Sequence, residues 1–129
     1  MNDRSESQIK AAIRKHISPW VVIFNSPTAQ ATLDSGQRML LGLCVGASDL
    51  IGLRRSDGKF IAVEIKTPQG MNDHINAIDR ATRKGFKGLT KEEKHAVEQD
   101  LFIALIRENH GIAGFVTCEI TAEGLCKSK

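Results

Sequence analysis

Residues 46–66 read Gly-Ala-Ser-Asp-Leu-Ile-Gly-Leu-Arg-Arg-Ser-Asp-Gly-Lys-Phe-Ile-Ala-Val-Glu-Ile-Lys, and the rest of the chain can be interpreted around them. Two short apolar runs rich in strand-forming residues, 50–53 and 60–63, flank the sequence Ser56-Asp57-Gly58-Lys59. Asp-Gly between two such runs is a strong signal for a two-residue type I′ turn. The stretch therefore predicts an antiparallel β-hairpin.

The register of this hairpin decides which side chains meet. Counting back from an Asp57-Gly58 loop sets Asp49 opposite Lys66, on the same face of the sheet. Glu64 lies two residues before Lys66 and shares its face, about 6.6 Å away along the strand. A register slip of two residues preserves this grouping of charges, whereas a slip of one destroys it.

Three charges converging on an apolar hairpin need ligands or partners, because an uncompensated buried charge is costly. The spacing alone leaves two interpretations open. One is a salt bridge at the edge of a sheet, since Glu-x-Lys is common on exposed strands. The other is a functional site with a bound metal ion.

The order Gly46-x-Ser48-Asp49-Leu50, a hairpin and then Glu64-Ile65-Lys66 resembles the core of the PD-(D/E)XK nuclease superfamily, and in particular the VRR-NUC domain. The resemblance implies an α/β fold in which helices flank a mixed β-sheet. It also implies a metal-dependent DNA endonuclease. Family members often have proline before the aspartate, where this chain has Ser48.

The resemblance also implies roles for the charged residues. Asp49, Glu64 and the backbone carbonyl of Ile65 would bind Mg²⁺ or Mn²⁺, both of which prefer oxygen ligands. Lys66 would orient the attacking water or stabilise the transition state electrostatically.

Two further residues match positions of the family. Glu6 corresponds to a glutamate near the start of the first helix that faces the active site, although a favourable interaction with the helix dipole explains it equally simply. Gln99 corresponds to a glutamine of the last long helix, where it would orient water or another site residue. A core glutamine bonded to backbone is the alternative.

Residues 71–94 are polar and form a longer segment than we expect here in a compact VRR-NUC domain, so we interpret them as an insertion. Six of them are basic: Arg80, Arg83, Lys84, Lys87, Lys91 and Lys94. We expect Arg83, Lys84 and Lys87 to contact DNA phosphates, which supply most sequence-independent affinity. Arg38 is a further candidate phosphate contact. An ordinary solvated surface is the alternative for both.

Two capping boxes predict where helices begin. A capping box at Ser5-Glu6-Ser7-Gln8 predicts a helix that Pro19 stops. A second one at Thr90-Lys91-Glu92-Glu93 predicts a helix that closes with Gly111 in the left-handed conformation. We expect its apolar stripe to comprise Val97, Leu101, Ala104 and Leu105, widened by Phe102, Ile103 and Ile106.

The remaining segments carry weaker signals. Residues 20–24 form a continuous apolar run, which predicts a strand buried on both faces. Residues 25–37 read as a loop, and 67–70 as a turn. Residues 112–118 predict another strand, and 119–129 a short closing element.

Composition narrows the class of protein. The chain has 129 residues, enough for one domain, and a formal net charge of +3 that permits a nucleic-acid partner. Few residues are aromatic and none is tyrosine, which argues against a stacking platform for single strands. Cys44, Cys118 and Cys126 have no metal-binding spacing, and no signal peptide or membrane span is visible. We therefore expect a soluble intracellular protein.

The resemblance predicts a Mg²⁺- or Mn²⁺-dependent endodeoxyribonuclease that cuts Holliday junctions or other branched DNA. Small resolvase-like nucleases act as homodimers, because two symmetric cuts need a two-fold interface. The competing hypothesis is a DNA-binding or assembly module that keeps the fold without cutting. Such a module would be expected to have lost one of the three charged residues.

Overall fold

The computed structural model describes residues 4–24, 29–32, 38–41 and 48–129, with the backbone alone for the second and third ranges. Gly46 and Cys44 lie outside the described residues. The elements in chain order are α1 (Glu6–Ile17), β1 (Val21–Phe24), β2 (Ala29–Thr32), β3 (Arg38–Leu41), β4 (Leu50–Arg54), β5 (Phe60–Ile65), α2 (Pro68–Arg83), α3 (Lys91–Glu108), β6 (Ile112–Val116) and α4 (Glu119–Cys126).

Four strands form a mixed sheet in the order β1-β4-β5-β6. The pairs β1–β4 and β4–β5 are antiparallel, whereas β6 runs parallel to β5. The two connected by α2 and α3 are therefore the parallel pair, as expected for a helical crossover. The predicted class, α/β with a mixed sheet flanked by helices, is confirmed, while its assignment to the PD-(D/E)XK superfamily remains a prediction.

Alternation along β5 divides the core into two layers. Ile61, Val63 and Ile65 face α1 and α4, where they join the larger apolar cluster. Ala62 faces α3 and packs in a second, smaller cluster with Phe102 and Ile103. Glu64 is the next residue on the α3 side after Ala62, so the fold places this carboxylate between the sheet and a helix.

The two predicted capping boxes are confirmed. The Ser5 hydroxyl accepts from Gln8 N, while the Gln8 side chain accepts from Ser5 N. Thr90 and Glu93 make the same reciprocal pair at the start of α3. Each pair satisfies backbone donors that the first turn of a helix cannot satisfy by itself.

The hairpin itself forms, but its turn and register differ from the prediction. Arg54 N bonds to Lys59 O, so four residues form the loop, and of these four, all described, only Gly58 has a positive φ. A type I′ turn would need a second one at Asp57. The Asp57 carboxylate instead accepts from the Arg54 guanidinium and from Lys59 N, which stabilises the wider loop.

This loop moves the register by two residues from the predicted one. Leu50 pairs with Val63, so continuing the register by one residue sets Asp49 beside Glu64 instead of Lys66. Because the shift is even, every side chain keeps its predicted face.

Two predictions for the N-terminal half were wrong. β1 is an edge strand in the sheet, and Val22 and Phe24 are partly exposed, so it is not buried on both faces. Residues 29–32 pair antiparallel with 38–41, so the segment 25–37 is not simply a loop. Its mixed polar composition has no clear period from which a strand could be predicted.

Residues 67–70 begin a helix and do not form a turn. Thr67 caps α2 by accepting from Gly70 N, and Pro68 occupies the first helical position, where its missing N–H costs nothing. The segment 71–94 therefore comprises most of α2, a short connection and the start of α3, which together make a helical hairpin. Whether it is an insertion remains a prediction.

The C-terminal half of α3 also differs from expectation. Leu101 and Leu105 are exposed, and the buried face comprises Ala96, Gln99, Phe102 and Ile103 with Glu93. His110, not Gly111, adopts the left-handed conformation, with φ 68°. Gly111 is needed for space, because a Cβ there would lie 2.5 Å from Ile106 Cγ2.

None of the helices in the described ranges is both long enough and apolar enough to cross a bilayer.

Candidate active site

Asp49 and Glu64 meet where β4 begins and β5 ends. Asp49 Oδ2 accepts a hydrogen bond of 2.9 Å from Ile65 N, which fixes the carboxylate against the end of β5. The preceding Ser48 is buried, and its hydroxyl has no hydrogen-bond partner among the described residues. The predicted convergence of Asp49 and Glu64 is therefore present in the structure.

The Glu64 carboxylate is only 4% exposed. Its Oε1 accepts from Gln99 Nε2 at 2.9 Å, whereas no group within the described ranges donates to Oε2. Burial raises the pKa of Glu64 to about 9, and the charge and hydrogen bond of Asp49 add to the rise, while Lys66 opposes it. Two neighbouring carboxylates in a buried site do not both stay charged without a compensating cation, and in its absence one of them holds a proton.

Gln99 joins the carboxylate to the lysine. Its Oε1 accepts a bond of 3.0 Å from Lys66 Nζ, and its Nε2 donates to Glu64. The amide thus has its acceptor end on the ammonium and its donor end on the carboxylate. It is buried on the inner face of α3, so packing and two hydrogen bonds hold it in place.

Lys10 is a site residue that the sequence did not indicate. Lys10 lies on α1, and its Nζ is 3.7 Å from Asp49 Oδ1, just before β4. Only the docking of α1 against the sheet makes the pair, so no local pattern could have revealed it. Glu6 lies one turn earlier on α1 and is exposed, with no hydrogen bond to this group within the described part of the chain.

The predicted DNA contacts lie apart from this group. Arg83, Lys84 and Lys87 lie at or just beyond the C-terminal end of α2. Lys84 bonds to Glu93 and Lys66 to Gln99, and these two α3 residues are separated by about 9 Å of helix. Arg83 pairs with Asp79, and Lys87 is exposed. Arg38 begins β3, and its side chain lies outside the described residues.

Lys84 has a structural partner that the sequence did not predict. Its Nζ lies 2.6 Å from Glu93 Oε1, and Arg80 Nε lies 2.9 Å from the other oxygen of this buried carboxylate. Bonds from Lys84 first, then from Thr90 N and Arg80, lower the pKa of Glu93 to about 2. Glu93 therefore ties the end of α2 to the start of α3.

A groove of about 210 Å³ opens between α2 and α3 beside Lys66 and Gln99. His74 lines it from α2, bonds to Asp100 Oδ1 at 2.7 Å and packs against the Phe115 ring. A larger cavity, of about 500 Å³, adjoins Trp20 and Arg54 at the opposite end of the hairpin and contains neither Asp49 nor Glu64.

The donor atoms fit a hard divalent cation. Two carboxylates lie together, and the Ile65 backbone adjoins them. One buried oxygen of Glu64 has no partner in the described part of the chain. Mg²⁺ is commonly held by one or two carboxylates and completes its shell with water. Side-chain clusters of three or more carboxylate, histidine or cysteine ligands do not occur in the described ranges.

Comparison of the sequence with protein-family models and with curated proteins gives no match. Membership of the VRR-NUC domain therefore remains a prediction based on Asp49, Glu64-x-Lys66 and Gln99. The structure adds that these four residues form one connected group.

Proposed function

We propose that the protein is a metal-dependent endodeoxyribonuclease that hydrolyses phosphodiester bonds in branched DNA. One observation above all supports this function, namely the buried Glu64 oxygen beside the Asp49 carboxylate, which has no hydrogen-bond partner among the residues that the structure describes. A permanently neutral core would be expected to carry glutamine or an apolar residue at this position. A cation-binding carboxylate explains why the chain bears the unfavourable burial.

Asp49, Glu64 and the Ile65 carbonyl would hold Mg²⁺ or Mn²⁺. When bound, such an ion lowers the pKa of a coordinated water and neutralises charge on the scissile phosphate. Lys66 supplies an ammonium on the same face, suited to the charge that develops on the phosphate oxygens in the transition state. Gln99 positions both partners, because one amide bonds to the Lys66 ammonium and the Glu64 carboxylate.

The substrate and assembly form part of the same proposal. Holliday junctions and other branched DNA need two cuts related by symmetry, and a homodimer provides two active sites. The net charge of +3 accords with a polyanionic partner without selecting a particular one.

The test combines metal uptake with cleavage. Wild-type protein should bind Mn²⁺ in calorimetry and should cut labelled junctions, flaps or forks in Mg²⁺ or Mn²⁺. Asp49→Asn and Glu64→Gln should lose both properties. Glu108→Gln, which changes an exposed carboxylate at the end of α3, is the matched control and should lose neither.

The competing module without catalysis predicts a different pattern. It would bind DNA equally with and without metal, and neither Asp49→Asn nor Glu64→Gln would alter binding. Equal Mn²⁺ uptake by the wild type and both variants would place the cation elsewhere and refute the proposed site.

A further inference from the structure

The connection between α2 and α3 carries an exposed aromatic ring. We call residues 84–88, Lys-Gly-Phe-Lys-Gly, the hairpin tip. Phe86 is 58% exposed, although phenylalanine is normally among the more buried residue types. Its φ is 61°, in the left-handed region that disfavours residues with a Cβ, and Gly85 and Gly88 on either side are also left-handed.

Closing the helix does not account for this ring. Phe86 N bonds to Ala81 O and Gly85 N to Thr82 O, the pattern that commonly ends a helix on a left-handed glycine. In that pattern the residue at position 86 usually covers the last turn with its side chain. Here Phe86 is mostly exposed to solvent. Its backbone also adopts a left-handed conformation that is strained for a residue with a Cβ. Such strain often marks functional positions.

The surroundings of the tip are basic, and ion pairs connect the two helices beside it. Glu93 anchors Lys84 and Arg80, so the tip is attached firmly to both helices. Lys87 and Lys91 are exposed and form no ion pair within the part of the chain that the structure describes. A phosphate group beside the ring would therefore find two available ammonium groups.

We propose that Phe86 stacks on a single unpaired DNA base while Lys87 and Lys91 contact the adjoining phosphates. An aromatic ring can stack on any base, because every base has a π face, and lysines hold the backbone without reading sequence. A single ring suits one unstacked base at a branch point or bulge better than a long single strand. The inference rests on the proposed DNA substrate but not on cleavage.

The tip also lies at a defined distance from the candidate active site. Lys84 at the tip bonds to Glu93 and Lys66 bonds to Gln99, and about 9 Å of α3 separates these two residues, which corresponds to roughly three base steps of 3.4 Å in B-form DNA. One protomer could then hold a branch point at the tip while presenting an arm of the duplex to Asp49 and Glu64.

Binding measured in EDTA tests this inference without any cleavage. The DNA pair is a continuous duplex and the same duplex with one unpaired 2-aminopurine, whose fluorescence falls when it stacks. Phe86→Gly should bind the bulged duplex about tenfold more weakly than wild type and should fail to quench the 2-aminopurine. Phe86→Trp should retain both properties, and all three proteins should bind the continuous duplex within about twofold of one another.

Two controls separate lost stacking from lost structure. Glycine adopts a positive φ without strain, so Phe86→Gly should be at least as stable as wild type in denaturant. Leu101→Ala removes another exposed apolar side chain, 64% exposed on α3, and should bind both DNAs like wild type.

Three results would overturn the inference. Phe86→Gly could bind the bulged duplex as tightly as wild type, or lose equal affinity for both DNAs. Alternatively, it could change the oligomeric mass with DNA affinity unaltered, which would make the tip a protein contact. None of these touches the Glu64-dependent cleavage assay, so the two proposals can fail separately.

Discussion

Lys66 is the residue whose chemistry the neighbouring side chains define most closely. Its ammonium donates to Gln99, which also bonds to Glu64, so the lysine is held near the carboxylates without neutralising either of them directly. A lysine that served only as an ion-pair partner would be expected to bond to the buried carboxylate itself. The arrangement leaves the positive charge available for the phosphate of the substrate that we propose.

Lys66→Ala should therefore keep metal and DNA binding and lose turnover by about two or more orders of magnitude. Calorimetry with Mn²⁺ and single-turnover cleavage measure the two quantities separately. Lys59→Ala, at the far end of the hairpin, is the matched control and should cut at the wild-type rate. An active Lys66→Ala would reduce this lysine to a structural role.

At the scale of elements, the α2–α3 hairpin depends on one buried carboxylate. The folded pKa of Glu93 is lowered to about 2 from an unfolded value near 4.3. The deprotonated form is thus favoured by folding, and its contribution is fully present above about pH 5. It should be lost as the pH falls from about 5 to about 2.

Glu93→Gln should consequently lower the free energy of unfolding at pH 7, and the difference from wild type should shrink as the pH falls through that window. Glutamine can still complete the capping box, so the substitution mainly removes the ion pairs with Arg80 and Lys84. Denaturant titrations across the pH range measure the difference. Glu92→Gln, which changes an exposed carboxylate, is the control and should alter the free energy of unfolding only slightly. If Glu93→Gln lowered the free energy of unfolding by the same amount at every pH, the link to Glu93 ionisation would be wrong.

The predicted DNA contacts on the α2–α3 hairpin are of two kinds: Arg83 and Lys87 are exposed, whereas Lys84 pairs with the buried Glu93. Replacing Arg83 and Lys87 by alanine should weaken binding to all DNA structures and reduce the salt slope by roughly two units, one for each lost phosphate contact. Lys84→Ala should instead lower stability, because it leaves Glu93 partly unpaired. Binding isotherms at several salt concentrations, with melting curves, distinguish the two. An unchanged salt slope in the double variant would show that neither residue contacts a DNA phosphate.

Local signals predicted the elements whose information is local. Both capping boxes and the presence of the hairpin were predicted correctly, but its two-residue turn was wrong. The register was shifted by two residues, an even number, so Asp49, Glu64 and Lys66 kept their predicted face. What failed depended on tertiary context. The edge position of β1, the Glu93 ion pairs and the contact between Lys10 and Asp49 arise only when separate elements pack. Phe86 had one local signal, an apolar residue between two glycines within a basic segment.

At the scale of the whole molecule, the proposed junction cleavage requires two copies of the chain. Light scattering at micromolar concentration should give twice the chain mass of 14.1 kDa. The physical reason is symmetry, because one active site cannot make paired cuts on opposite strands without rebinding. A monomer that still makes paired cuts in a single encounter would contradict this assembly.

The central position of β5 has a consequence for how the protein opens. β4 and β6 cover its two edges, and helices lie on both of its faces. Amide hydrogens in such a strand exchange with solvent only when the fold opens globally, whereas edge strands and helix ends exchange through smaller fluctuations. Glu64 therefore lies in the slowest-exchanging part of the molecule, and the hairpin tip in one of the faster parts. The proposed ligand geometry around Glu64 would therefore persist during local fluctuations of the tip, the part of the α2–α3 hairpin that we propose to contact DNA.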